Sequence, residues 1–161
     1  MARSSRLLNL GGRLPLASHW SRFHAAAYRL TGGRFIPKWF GGPVMVIETV
    51  GRKSGRVRRA PVIRVEHGDD LLVIPANAGN HRPPAWWLNL RAAGEACVIH
   101  KGRRQRVRAR VAKGEERSRL WSHYAETYPG VDDYTGYTKR ELPVVVLEPV
   151  ERIPPAVRSN G

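Results

Sequence analysis

Nine residues, Gly51 to Arg59, hold five cations and two glycines between two apolar, β-branched runs. This stretch constrains the fold more than any other. Upstream lies Pro43-Val44-Met45-Val46-Ile47, downstream Pro61-Val62-Ile63-Arg64-Val65. Two such runs joined by a glycine-bearing turn predict an antiparallel strand pair. Glycine adopts positive φ without a steric penalty and leaves amide N–H groups uncovered, so a turn of this kind can cradle an anion. Arginine adds planar, two-pronged donors suited to phosphate or carboxylate. Taken alone, the run also fits a solvated basic turn.

Strand patterns dominate the rest of the chain. The expected strands are 43–50, 56–66, 70–75, 96–100, 104–112 and 143–148, with turns at His67-Gly68-Asp69-Asp70 and Lys101-Gly102-Arg103. Helices are expected from Ser18 to the Gly32-Gly33 stop, over 84–93 with Gly94 ending it, and over 114–127 with Leu120, Trp121, Tyr124 and Ala125 facing inward. Six short antiparallel strands with flanking helices predict a mainly-β fold, a small closed or half-closed barrel. Pro143-Val144-Val145-Val146-Leu147-Glu148 is almost wholly apolar and reads as a strand buried on both faces. In Arg104–Val111, Arg106, Arg108 and Arg110 alternate with Val107, Ala109 and Val111, which reads as a solvated outer face rather than a nucleic-acid stripe. The expected organisation is a flexible basic segment over 1–17, one domain over 18–150 and a disordered tail over 151–161.

Charge narrows the ligand without naming it. The 161 residues carry 28 Lys+Arg against 13 Asp+Glu, a net charge of +15, and residues 1–60 contain one acid, Glu48. Nucleic acid, an anionic membrane surface and a polyanionic small molecule all suit that balance. One cysteine, Cys97, excludes an intrachain disulfide and reads as a buried strand residue. It fits a reducing compartment, and a cytoplasmic protein is the expectation. The basic amphipathic segment after Ser18 leaves membrane-surface contact open. The six histidines show no metal-ligand spacing, so no metal site is expected. Neither a nucleotide-triphosphate loop nor a GxSxG elbow is present. An enzyme without an evident nucleophile can leave the chemistry to a coenzyme.

The run Thr49-x-Gly51-Arg52-Lys53-Ser54-Gly55-x-x-Arg58-x-x-Pro61 resembles the signature of the deazaflavin-dependent nitroreductase and quinone reductase family. Tyr28-Arg29-Leu30-Thr31-Gly32-Gly33-Arg34, Ala78-Gly79 with Pro84-Ala85-Trp86-Trp87-Leu88-Asn89-Leu90, and Tyr128-Pro129-Gly130 with the final strand match in kind and order. The resemblance implies a split β-barrel like that of flavin-mononucleotide-binding oxidoreductases, and the coenzyme F-420, a hydride carrier with a phosphodiester and an oligoglutamate tail. By that likeness Arg52, Lys53, Ser54 and Arg58 would hold the phosphate and nearby carboxylates. Pro61 would shape the pocket beside the ring, and Ala76, Asn77, Ala78, Gly79, Trp86 and Asn89 would line the rest of the groove. Tyr128 and Tyr134, in a Gly-rich flap over 128–137, would donate a hydrogen bond or proton to a small-molecule acceptor, a quinone or another electron-poor compound. Ala76, Asn77 and Val131 replace a serine, a lysine and a tyrosine of the nitroreductase branch, which puts nitro reduction in doubt. Flavin mononucleotide or another anionic ring remains the alternative coenzyme. Barrels of this type often pair, so a homodimer is open, and nucleic acid is not the expected partner.

Overall fold

The computed structural model describes residues 38–39 and 42–150. The expected helix after Ser18, the basic segment 1–17 and the tail 151–161 lie outside them. Eight strands form one curled antiparallel sheet: β1 (Lys38–Trp39), β2 (Gly42–Val50), β3 (Val57–Ile63), β4 (Val65–His67), β5 (Asp70–Val73), β6 (Glu95–His100), β7 (Arg103–Val111) and β8 (Val145–Pro149). Three helices flank it: α1 (Ala85–Ala93), α2 (Gly114–Thr127) and α3 (Val131–Tyr137). The order β2-β6-β7-β8-β5-β4 returns to β2 through β3, because Arg64 alone separates β3 from β4. The single strand expected over 56–66 is therefore kinked at Arg64, whose amide donates to the Pro43 carbonyl at 2.9 Å.

Period-two alternation sends the two faces of β5 and β8 into two different cores. Leu71, Val73, Val145 and Leu147 join Met45, Ile47, Val98 and Val107 inside the curl, where α1 contributes Trp87 and Leu90. Leu72, Ile74, Val144 and Val146 point the other way, against Leu120, Tyr124, Tyr128 and Val131. Val144 to Leu147 are all fully buried, as the apolar run predicts. Leu120 and Tyr124 face that outer core with Trp121 and Ala125 packed beside them.

The hairpin turns follow the glycines. At the β6–β7 turn Lys101 and Gly102 both take positive φ, 48° and 75°, the twist that a two-residue hairpin needs. On β7 the arginines face outward into ion pairs: Arg106 with Glu95 at 2.8 Å, Arg110 with Glu148 at 2.6 Å and Glu116 at 2.8 Å. These pairs fill the solvated face that the alternation predicts. Two expectations are corrected. The 128–137 segment is not a Gly-rich loop, since Val131–Tyr137 is helical. Asp132 and Asp133 sit in its first turn, where negative charge is favourable, and Val131 and Tyr134 fall three apart on one face. Cys97 is half-buried rather than buried, because its place on β6 opposite Glu48 and Arg106 puts it on the charged outer face.

Candidate functional site

The β2–β3 turn closes on itself. The Gly51 amide donates to the Arg56 carbonyl at 2.8 Å, and the Ser54 and Gly55 amides donate back to the Gly51 carbonyl at 3.1 and 2.7 Å. Gly55 has φ +65°, and a Cβ on Gly51 would lie 2.6 Å from Ser54 Oγ and 3.2 Å from the Arg56 carbonyl oxygen. Both glycines are thus required by the turn. Between this turn and α1 lies a groove of about 410 Å³, lined by Gly51, Arg52, Lys53, Ser54, Arg58, Arg59, Ala60, Ala85, Trp86 and Asn89.

The groove gathers Arg52, Lys53, Ser54, Arg58, Trp86 and Asn89 from the expected set. Lys53 and Arg58 have no carboxylate partner among the described residues, so their charge faces whatever enters. Asn89, besides lining the groove, also has a structural task. It is buried, accepts from the Arg52 amide at 3.2 Å and from Arg52 Nη1 at 3.3 Å, and donates to Thr49 Oγ1 at 3.2 Å. Its amide holds the turn against α1 and aims Arg52. Trp87 goes into the core while Trp86, half-buried, forms an apolar wall of the groove.

Pro61 does not line the groove. On β3 it pairs with Val46 of β2, one residue beyond the groove-lining Ala60. Ala76 to Gly79 are also outside the groove. They form a short turn between β5 and α1 that packs on α3, so a Cβ on Gly79 would stand 2.5 Å from Tyr137 Cβ. Tyr128 and Tyr134 come together, their hydroxyls 2.7 Å apart. Tyr128 is buried beneath, with its ring where a Cβ on Gly42 would fall 3.0 Å away, and Tyr134 is half-buried. Burial, and then the bond to Tyr128, push the Tyr134 phenol well above its usual range, so it stays protonated. Among the described residues no three His, Cys, Asp or Glu side chains come together as a metal site would require.

Sequence reasoning missed the arginine–carboxylate group behind the groove. Glu48 is buried with its side chain 3% exposed, and takes Arg59 Nε at 2.5 Å and Arg104 Nε at 2.6 Å. Burial works to raise the Glu48 pKa, but the bonds to Arg104 and Arg59 outweigh it and hold the carboxyl below its ordinary value. The one signal was an acid in a strand otherwise apolar. Because the folded pKa lies below the unfolded one, this carboxylate stabilises the fold above the unfolded value, and the contribution is lost as pH falls through the folded one. Glu48→Gln is expected to cost about 1–2 kcal/mol at pH 7, a modest figure because both arginines reach solvent. Urea denaturation at pH 7 and pH 3 checks this: the gap between wild type and variant should shrink at the lower pH.

The curled sheet with a basic groove at one hairpin is that of the split-barrel reductases. A solved F420-H2 dependent reductase is 31% identical, with TM-score 0.61, over 66% of this chain and 94% of that one. A second solved structure, a domain-swapped dimer, is 27% identical with TM-score 0.63 over 82% of this chain and 99% of that one. The model of the F420H(2)-dependent quinone reductase family matches residues 20–149, and the chain belongs to that family. A relative named as an F420H(2)-dependent quinone reductase, from Mycobacterium tuberculosis, is 31% identical over 78% of this chain and 87% of its own length. A putative F420H(2)-dependent quinone reductase of the same organism is 31% identical over 66% of this chain and 90% of its own.

Proposed function

We propose that this protein transfers a hydride from the reduced deazaflavin coenzyme F-420 to a quinone. The observation that carries the reading is the groove, where Lys53 and Arg58 present charge that no carboxylate among the described residues neutralises. Those residues fit the anionic part of the coenzyme. Arg52, Lys53, Ser54 and Arg58 would hold its phosphate and nearby carboxylates, and the close-packed Gly51 turn leaves the Lys53 amide without a partner among the described residues. Family membership supports F-420 over flavin mononucleotide, and over nucleic acid as the target of the basic surface.

The coenzyme supplies the hydride when bound. The chain's own residues bind, orient and protonate. Asn89 keeps Arg52 aimed, and Trp86 excludes water from one side of the groove. Reducing a quinone to a hydroquinone by hydride transfer also consumes one proton. Tyr134, neutral and the more exposed of the phenol pair, can donate one to the quinone oxygen as negative charge develops there. Tyr128, behind it at 2.7 Å, can pass its own proton forward. Ala76 to Gly79 supply backbone on the α3 side of the site.

Quenching of tryptophan fluorescence by oxidised F-420, with flavin mononucleotide titrated in parallel, tests the coenzyme. Loss of reduced-coenzyme absorbance on adding a naphthoquinone tests the acceptor. Saturable quenching by F-420 alone, followed by quinone-dependent oxidation, is the expected result; binding of flavin mononucleotide alone overturns it. The domain-swapped dimer among the solved relatives supports a homodimer, which analytical ultracentrifugation checks. No helix among the described residues is long and apolar enough to cross a membrane. Contact with a membrane surface through the basic N-terminal segment is a proposal that liposome co-sedimentation, with and without residues 1–17, decides.

A further inference from the structure

The turn joining β5 to α1 has an unusual backbone. Asn77, Ala78 and Gly79 all take positive φ, at 52°, 51° and 73°. Only Gly79 does so without a steric penalty, since an L-residue in this region brings its Cβ against its own carbonyl. Three left-handed residues in succession persist only where the surroundings over-determine them. Asn77 Nδ2 donates to the Arg82 carbonyl at 2.8 Å and Gly79 packs against Tyr137, but the one side chain that grips both ends of the run is Arg140. Arg140 Nη2 donates to the Pro75 carbonyl at 2.8 Å and to the Ala76 carbonyl at 2.7 Å, and Arg140 Nε donates to the Asn80 carbonyl at 3.1 Å. The guanidinium thus spans both ends of the strained run, and it has no carboxylate partner among the described residues. Thr138, buried at the end of α3, accepts from the Arg140 amide at 3.3 Å and turns the chain back toward the loop.

The position of this clamp connects two halves of the site. The chain runs from Asn80 through Pro83 and Pro84 into α1, which carries Trp86 and Asn89 to the groove. On its other side Gly79 lies against Tyr137 of α3, the helix that holds Tyr134 next to Tyr128. We propose that Arg140 is a positioning residue: by holding Asn77–Gly79 left-handed, it sets the groove helix α1 at its working distance from the phenol-bearing helix α3. The inference rests on the reading of the groove and phenols given above. Arg140 touches neither coenzyme nor acceptor, and it acts through the loop. Hydride transfer is sensitive to such placement, because misplacing the reacting groups by about 1 Å costs about a hundredfold in rate.

The test is Arg140→Gln with and without Ala78→Gly, since glycine relieves the strain that Arg140 otherwise holds in place. In the coenzyme-free protein, Arg140→Gln should speed amide hydrogen exchange at Gly79 and Asn80 about tenfold while the β2 and β8 amides stay as they were. With F-420 and a naphthoquinone, kcat should fall at least tenfold and the coenzyme Kd should stay within about threefold. Adding Ala78→Gly should recover several-fold of both the exchange protection and kcat. Arg140→Lys, which keeps the charge and reaches fewer carbonyls, should fall between, and it carries the comparison if Arg140→Gln does not accumulate as folded protein. Unchanged exchange at Gly79 and Asn80, or uniformly faster exchange with no recovery by Ala78→Gly, overturns the proposal. Wild type that binds no F-420 would overturn the coenzyme reading instead, and the exchange comparison would still decide the clamp.

Discussion

Replacing Lys53 and Arg58 together by alanine is expected to weaken binding of oxidised F-420 by about a hundredfold, with the thermal midpoint unchanged. Each removes a charge-assisted hydrogen bond to an anion, a contact worth about 1.5–3 kcal/mol. Both side chains are exposed, so the lower figure applies. Two such losses total about 3 kcal/mol, and about 1.4 kcal/mol is a factor of ten. The informative control is Arg56→Ala. Arg56 lies on the same turn and is exposed, but it does not line the groove. Arg56→Ala removes one charge, as Lys53→Ala or Arg58→Ala alone does, and should change Kd by less than about threefold. If Arg56→Ala instead matches either single variant, the basic turn acts as a diffuse field and not as a shaped anion site.

Tyr134→Phe is expected to lower kcat with a quinone by about a hundredfold while leaving coenzyme affinity intact, the scale of a lost general acid. Tyr128→Phe should cost less, about tenfold, because it removes only the second member of the pair. The pH profile separates a proton donor from a packing residue. The folded pKa of Tyr134 lies above its ordinary value, so the donating, neutral form persists where an unperturbed phenol would ionise. Activity governed by Tyr134 therefore stays flat up to about pH 10. An alkaline limb with a midpoint between pH 7 and 9, unmoved by Tyr134→Phe, would assign the proton to another group.

Local patterns were legible in the sequence where the physics is local. Alternation placed β7, a continuous apolar run placed β8, glycines placed the turns at Gly55 and Gly102, and the Pro84-to-Gly94 punctuation bounded α1 within a residue. The groove cations were legible for the same reason, since they sit on one turn. The parts that escaped depend on partners distant in the chain. Glu48 meets Arg104 56 residues away, and Arg140 reaches a carbonyl 65 residues back. No periodicity encodes such pairs. Helix α3 escaped because Gly130 and Gly136 read as loop, whereas tertiary packing of Val131 and Tyr134 against the outer core overrides the weak propensity of seven residues. That Pro61 would lie outside the groove was not legible, because the family likeness gives residues an order but not their distance from the groove.

The double-sided burial of β8 has a consequence for how this barrel avoids misassembly. In most strands a slip by one residue is forbidden because it would drive polar groups inward. In Val144–Leu147 a slip would exchange one apolar set for another at little cost, so greasiness cannot set the alignment. Polar features at the strand's ends must do it. Arg110 reaches Glu148 on the neighbouring strand, and the Ala112 and Val150 amides meet the Val144 and Arg106 carbonyls at 3.0 Å. The surface ion pair, of small energetic weight by itself, thereby acts as an index mark that tells an otherwise ambiguous ribbon where to stop.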